Sequence, residues 1–112
     1  MVASMSLHQL TAKEKRVVLE CLRASVEGPF FPDWEFQTLF GLRRQDVAEI
    51  FSRPKLDDAD EQVSLVINNA MNNLLGYPHG QGSVWRQFLS VPENEVQRIF
   101  DKWKHGRING VR

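Results

Sequence analysis

Val63, Val66, Ile67, Ala70, Met71 and Leu74 fall at intervals of three and four residues, the spacing that aligns side chains on one face of an α-helix. A stripe of that width is stable only where other apolar surface covers it. The chain must therefore supply further amphipathic elements to pack against it. Residues 57–75 carry the pattern. Asp57 or Asp58 can cap its start, and Asp57, Asp58, Asp60 and Glu61 suit the positive end of the helix dipole. Gly76 ends it.

Helical punctuation recurs on both sides. Thr11 with Glu14 forms a capping-box pattern, and nothing breaks the helix before Gly28-Pro29. Val18, Cys21, Leu22 and Ser25 or Val26 share one face of it. Asp33 is read as the cap of a short helix reaching Phe40, with Gly41 as a left-handed turn residue. The next helix is placed from Arg44 to Arg53, with Val47, Ile50 and Phe51 inward and Pro54 as its stop. Ser83 opens a short helix holding Trp85, Phe88 and Leu89. Ser90 and Glu93 read as a second capping box, leading a helix that carries Val96, Ile99, Phe100 and Trp103. No segment alternates with period two. The predicted fold is all-α: a compact irregular bundle of five or six short helices without a sheet. A single domain spans residues 1–112, with 1–8 and 106–112 frayed. Val18, Leu22, Leu39, Val47, Ile50, Ile67, Met71, Leu74, Phe88, Ile99 and Phe100 form the predicted core.

Charge narrows the function classes. Fourteen Lys and Arg against fourteen Asp and Glu leave no formal net charge, which argues against a polybasic nucleic-acid arm or an acidic tail. Charge is nevertheless segregated, with a local net of −4 over residues 57–82 and +3 over 83–112; both clusters lie where helix dipoles favour them. The single cysteine, Cys21, points to a reducing compartment. No apolar run approaches the roughly 18 residues of a membrane span, and Met1 to Leu10 shows no secretory-signal pattern. The expected setting is the cytoplasm, away from membranes.

Three segments stand out. Phe30, Phe31, Trp34, Phe36 and Phe40 place five of the eleven aromatic residues within eleven positions. Such a corner either plugs the turn between two helices or leaves rings outside as interface anchors. Asn68, Asn69, Asn72 and Asn73 lie on a helix they do not favour. Their amides serve either an irregular backbone such as residues 28–33 or a polar ligand near His79. Residues 33–53 resemble a helix-turn-helix unit: Gly41 in the turn, Phe40 and Leu42 beside it, Val47 and Ile50 inward. In that reading Arg43, Arg44 and Gln45 face a DNA groove. Asp46 and Glu49 beside them, and Gln37 where close crossing needs a small residue, oppose it.

Catalytic and metal patterns fail. Cys21 sits mid-helix on an apolar face. His8, His79 and His105 lack paired ligand spacing, and Gly76 to Gly82 lacks the features of a phosphate loop. No catalytic residue, metal ligand or cofactor is assigned.

Two longer phrases, Val26-Glu27-Gly28-Pro29-Phe30-Phe31-Pro32-Asp33-Trp34-Glu35-Phe36 and Asn72-Asn73-Leu74-Leu75-Gly76-Tyr77-Pro78-His79-Gly80, resemble segments of a family of small, roughly hundred-residue bacterial proteins without an assigned activity. The resemblance implies a bacterial cytoplasmic origin and brings no functional residues with it. From the residues themselves, the expected role is non-catalytic binding to a protein partner or to a second copy. Its surface joins Phe30, Phe31 and Trp34 to Asn69, Asn73, Tyr77 and His79. A helix-turn-helix regulator is the alternative, and a small enzyme with a site near His79 the third reading.

Overall fold

The computed structural model describes the backbone of residues 6–111 and the side chains of residues 7–105. A 3-10 turn, Ser6–Gln9, leads into α1 (Ala12–Glu27), α2 (Asp33–Phe40), α3 (Arg44–Phe51) and α4 (Glu61–Gly76). A second 3-10 turn, Gly82–Val84, then runs into α5 (Trp85–Phe88), followed by α6 (Glu93–Val111). Among the described residues there is no strand. The all-α bundle expected from the periodicity is therefore the observed fold.

The central pair is α1 with α4. α3 packs on α1, and α2 and α6 both lean on α4. One buried cluster draws residues from all six helices. The stripe of α4 (Val63, Val66, Ile67, Ala70, Met71 and Leu74) is wholly inside it. Of the predicted core, Leu39 and Phe88 lie at the edge, half-buried. The radius of gyration, 13.2 Å, agrees with the ~13 Å of a close-packed chain of this length.

Caps explain where the boundaries differ from expectation. Thr11 and Glu14 form the reciprocal box at the start of α1. The helix placed from residue 57 begins at Glu61 instead. Asp57 turns the chain by accepting the Ala59 amide, and Asp60 caps through the Gln62 and Val63 amides. Asp58 points inward and accepts the Leu7 amide and the Trp103 indole N–H, each at 3.0 Å. Leu7 is buried and held by this contact, while residues 1–5, most of the segment expected to fray, lie outside the described residues. Pro32 occupies the cap position of α2, and Asp33 is its first residue. α3 stops at Phe51; the Ser52 hydroxyl donates to the Glu49 carbonyl there, and Pro54 follows two residues on. Ser90 forms no box with Glu93; its amide and hydroxyl both donate to Glu20 on α1 at 2.9 Å.

Candidate functional site

The two unusual segments of the sequence meet. Phe30 is 1% exposed, its ring edge-on to His79 at 4.9 Å, with Phe88 at 5.8 Å and Trp85 at 6.0 Å. Phe31 is 2% exposed and packs edge-on against Phe40 at 5.4 Å and Tyr77 at 5.6 Å. Both are core residues, so neither is the exposed anchor that the sequence allowed. Gly28 makes the entry to this joint possible. Its backbone is ordinary extended chain, but a Cβ there would lie 2.6 Å from the Ala24 carbonyl and 2.9 Å from the Phe30 ring.

Helix ends converge at this joint and leave carbonyls without helical partners. Arg44 serves three of them, donating to Ser25 at 3.0 Å, Val26 at 2.9 Å and Phe31 at 2.6 Å. The same guanidinium pairs with Asp33 at 2.9 Å and lies 4.4 Å above the Phe36 ring. Asn69 donates to the Phe40 carbonyl and Asn73 to the Leu39 carbonyl, each at 3.1 Å, closing the end of α2. Asn69 and Asn73 thus serve residues 39–40, and the 28–33 loop expected to need the asparagines is held by Arg44. His79 is equally committed. Its Nε2 donates to the Leu74 carbonyl at 3.1 Å, and its Nδ1 accepts the Gln81 amide at 3.0 Å. Because a carbonyl only accepts and an amide only donates, the proton sits on Nε2. The Tyr77 hydroxyl bonds Glu35, which raises the phenol above its usual range.

The other candidate residues are accounted for as well. Arg43 is bound by Asp46 through its side chain, at 3.1 Å, and its amide. Gln45 is exposed. A base-reading role for Arg43 and Arg44 would have to break these bonds. Cys21 is fully buried, and burial pushes its thiol well up, away from thiolate chemistry. Among the described residues, no three His, Cys, Asp or Glu side chains converge on a metal-sized site. No described helix is long and apolar enough to cross a membrane.

Two exposed features among the described residues bear on binding. Trp34, on the first turn of α2, is 79% exposed, the most exposed of the large hydrophobic side chains described. Its neighbours Asp33 and Glu35 are each tied to another element, by Arg44 and Tyr77. The second is a groove of about 410 Å³ between α1, the first 3-10 turn and the 54–58 loop. Leu7, Val18, Leu19, Pro54 and Leu56 supply its apolar lining, with Leu19 39% exposed. Sequence reasoning missed this groove. Its residues are ordinary Leu and Lys, and the only signal was Leu19 standing one step outside the apolar face of α1.

This chain matches no family model, no curated protein and no solved structure.

Proposed function

We propose that this chain is a non-catalytic protein-interaction module whose contact surface centres on Trp34. The observation that carries the reading is a large indole left in solvent between two anchored neighbours. Tryptophan is the side chain most enriched among residues that dominate interface energies. An exposed ring on a backbone already fixed on both sides loses little freedom when it docks, so more of its contact energy appears as affinity. The polar groups of the adjoining joint are occupied internally and offer no competing chemistry. The setting proposed with this role is the bacterial cytoplasm, on the family resemblance and on a lone buried cysteine.

A photo-crosslinking amino acid placed at Gln37, exposed and one helical turn from Trp34, should trap the partner or a second copy. Trp34→Ala should weaken that capture at least about tenfold, as expected for a hot-spot ring. Its unfolding free energy should stay within about 0.5 kcal/mol of the parent, as for a surface residue. Capture of the same species at undiminished yield by the Trp34→Ala protein would sink the reading.

A further inference from the structure

We propose that the outer face shared by α2 and α4 is a docking surface for a basic amphipathic helix of a partner protein, with Trp34 and Leu65 as its two anchors. The inference rests on the reading of Trp34 given above and adds to it the second anchor and the chemistry of the partner.

Trp34, Gln37, Thr38 and Gly41 are all exposed and follow the three- and four-residue steps that make one line along α2. That line ends on α4, where the Leu65 side chain lies 3.7 Å from the place a Cβ at Gly41 would take. Trp34 is 79% and Leu65 44% exposed, two of the three large hydrophobic side chains left in solvent among the described residues. The rise of a helix puts Gly41 about 10 Å from Trp34 along the axis. Positions i and i+7 of a partner helix span the same distance on one face, so two apolar side chains can meet both anchors. An extended chain finds no comparable match. α2 and α4 bond their own backbone groups, and Asn69 and Asn73 close the end of α2, so no row of unpaired amides and carbonyls is offered to it.

Charge sets the sign of the partner. α2 and α4 together hold three acids, Asp33, Glu35 and Glu61, and no Lys or Arg. Each cation of the neighbouring α3 and its flanks is matched by an acid: Arg44 by Asp33, Arg43 by Asp46, and Arg53 by Glu49 and Asp60. Lys55 lines the groove against α1 instead. Residues 33–76 carry eight acids and four Lys or Arg, a net of −4. Glu35, bonded by the neutral Tyr77 hydroxyl, and Glu61, exposed, form no ion pair among the described residues. Glu35 adjoins Trp34 and Glu61 stands one turn before Leu65, so an acid marks each end of the anchor line. Lysines or arginines one turn outside the apolar pair of a partner helix can meet these acids. An acidic helix, or the same face of a second copy, is repelled.

Three lactam-stapled helical peptides, titrated into the ¹⁵N-labelled full chain, provide the test. The first has two leucines seven positions apart with lysines one turn outside them; the second replaces the lysines by glutamates, and the third the leucines by alanines. The first should shift the amides of Gln37, Thr38, Gly41 and Leu65 saturably, and the other two should bind at least about tenfold more weakly. Trp34→Ala and Leu65→Ala should each weaken the first peptide about tenfold, with spectra elsewhere reporting an intact fold. A Glu35→Gln, Glu61→Gln double variant should weaken it about fivefold, the scale of two exposed ion pairs, since the amide at 35 can still accept the Tyr77 hydroxyl. The proposal is overturned if the first peptide gives no saturable shifts at this face, or if either control peptide or the double variant binds equally well. A loss in Trp34→Ala with none in Leu65→Ala overturns it and leaves the reading centred on Trp34 standing. Undiminished binding by Trp34→Ala overturns both.

Discussion

At the joint of residues 28–44 with 69–85, Arg44, Asn69, Asn73 and His79 each end on a backbone group. At the groove, Lys15 and Lys55 are exposed and without an ionic partner among the described residues. The difference follows from what the backbone needs in each place. Both ends of α2, the end of α1 and the loop after α4 meet at the joint, so orphan carbonyls and amides gather there and recruit every polar side chain within reach. The long wall of the groove is the middle of α1, whose backbone bonds itself, and its side chains remain available. Residue types that look functional in a sequence are thus consumed where helix ends converge. What stays free lies on helix faces turned to solvent, Trp34 on α2 and Leu19 on α1 among them.

The largest effect that separates the two regions is packing. Phe30→Ala removes a ring seated among His79, Trp85 and Phe88 and should cost about 3–5 kcal/mol. Leu19→Ala at the groove should cost less than about 1 kcal/mol, since part of its surface is already in water. Urea denaturation of both variants measures the contrast, and equal losses would remove it.

The polar half of the comparison rests on Arg44. Arg44→Met leaves the Ser25, Val26 and Phe31 carbonyls without this donor and Asp33 without its partner, for a loss of about 2–3 kcal/mol. Arg44→Lys should recover only part of it, because a compact ammonium cannot span donors spread over a planar fork. Lys15→Met should stay within about 0.5 kcal/mol. A silent Arg44→Met would mean that the joint holds without its staple.

Much of this architecture was legible from periodicity and punctuation. The stripe of α4, the Thr11–Glu14 box and the Gly41 turn appear where the sequence places them, because each depends on neighbours a few residues away. That the aromatic and asparagine segments meet was legible only as a condition on the proposed surface. Long-range polar partners were not legible. Glu20 takes Ser90 from 70 positions away, and Asp58 is pulled inward by Leu7 and Trp103, so local capping rules misassigned Ser90 and began α4 too early. Arg44 read as a groove-facing cation because nothing local reveals three carbonyls brought to it by folding. Ser64 lies outside the apolar stripe of α4 and is nevertheless buried, because neighbouring helices cover more of that element than its own pattern requires.

Adjacent residues of α1 sharpen the comparison further. Glu14 is nearly buried and accepts Lys102 at 2.8 Å and Arg98 at 2.9 Å, whereas Lys15 faces the groove. The Lys102 hydrogen bond first, then the Thr11 amide, holds its carboxyl down at about 2 against an ordinary 4.5. A carboxyl depressed on folding adds stability above its unfolded value, and that stability fades as pH falls toward the folded one. The full shift corresponds to about 3 kcal/mol, and screening of the half-exposed cations reduces it to about 1–2 kcal/mol. Stability should therefore drop between about pH 5 and pH 2, and Glu14→Gln should flatten that part of the profile. Parallel pH curves for the parent and Glu14→Gln proteins would show instead that the ion cluster adds nothing.

The smallest effect tests the hairpin that carries Arg44 to the joint. Gly41 has φ 75° and ψ 0°, a left-handed conformation, and a Cβ there would meet only the Leu65 side chain, at 3.7 Å. Space is therefore available, and backbone strain alone opposes a larger residue. Gly41→Ala should cost about 1 kcal/mol. Gly76 closes α4 with nothing within 4 Å of a Cβ, so Gly76→Ala should be neutral or gain a few tenths of a kcal/mol from helix propensity. Paired urea midpoints read the two signs directly. A Gly41→Ala protein as stable as the parent would show that the turn relaxes without a left-handed residue, and that Arg44 reaches its three carbonyls by other means than a fixed hairpin.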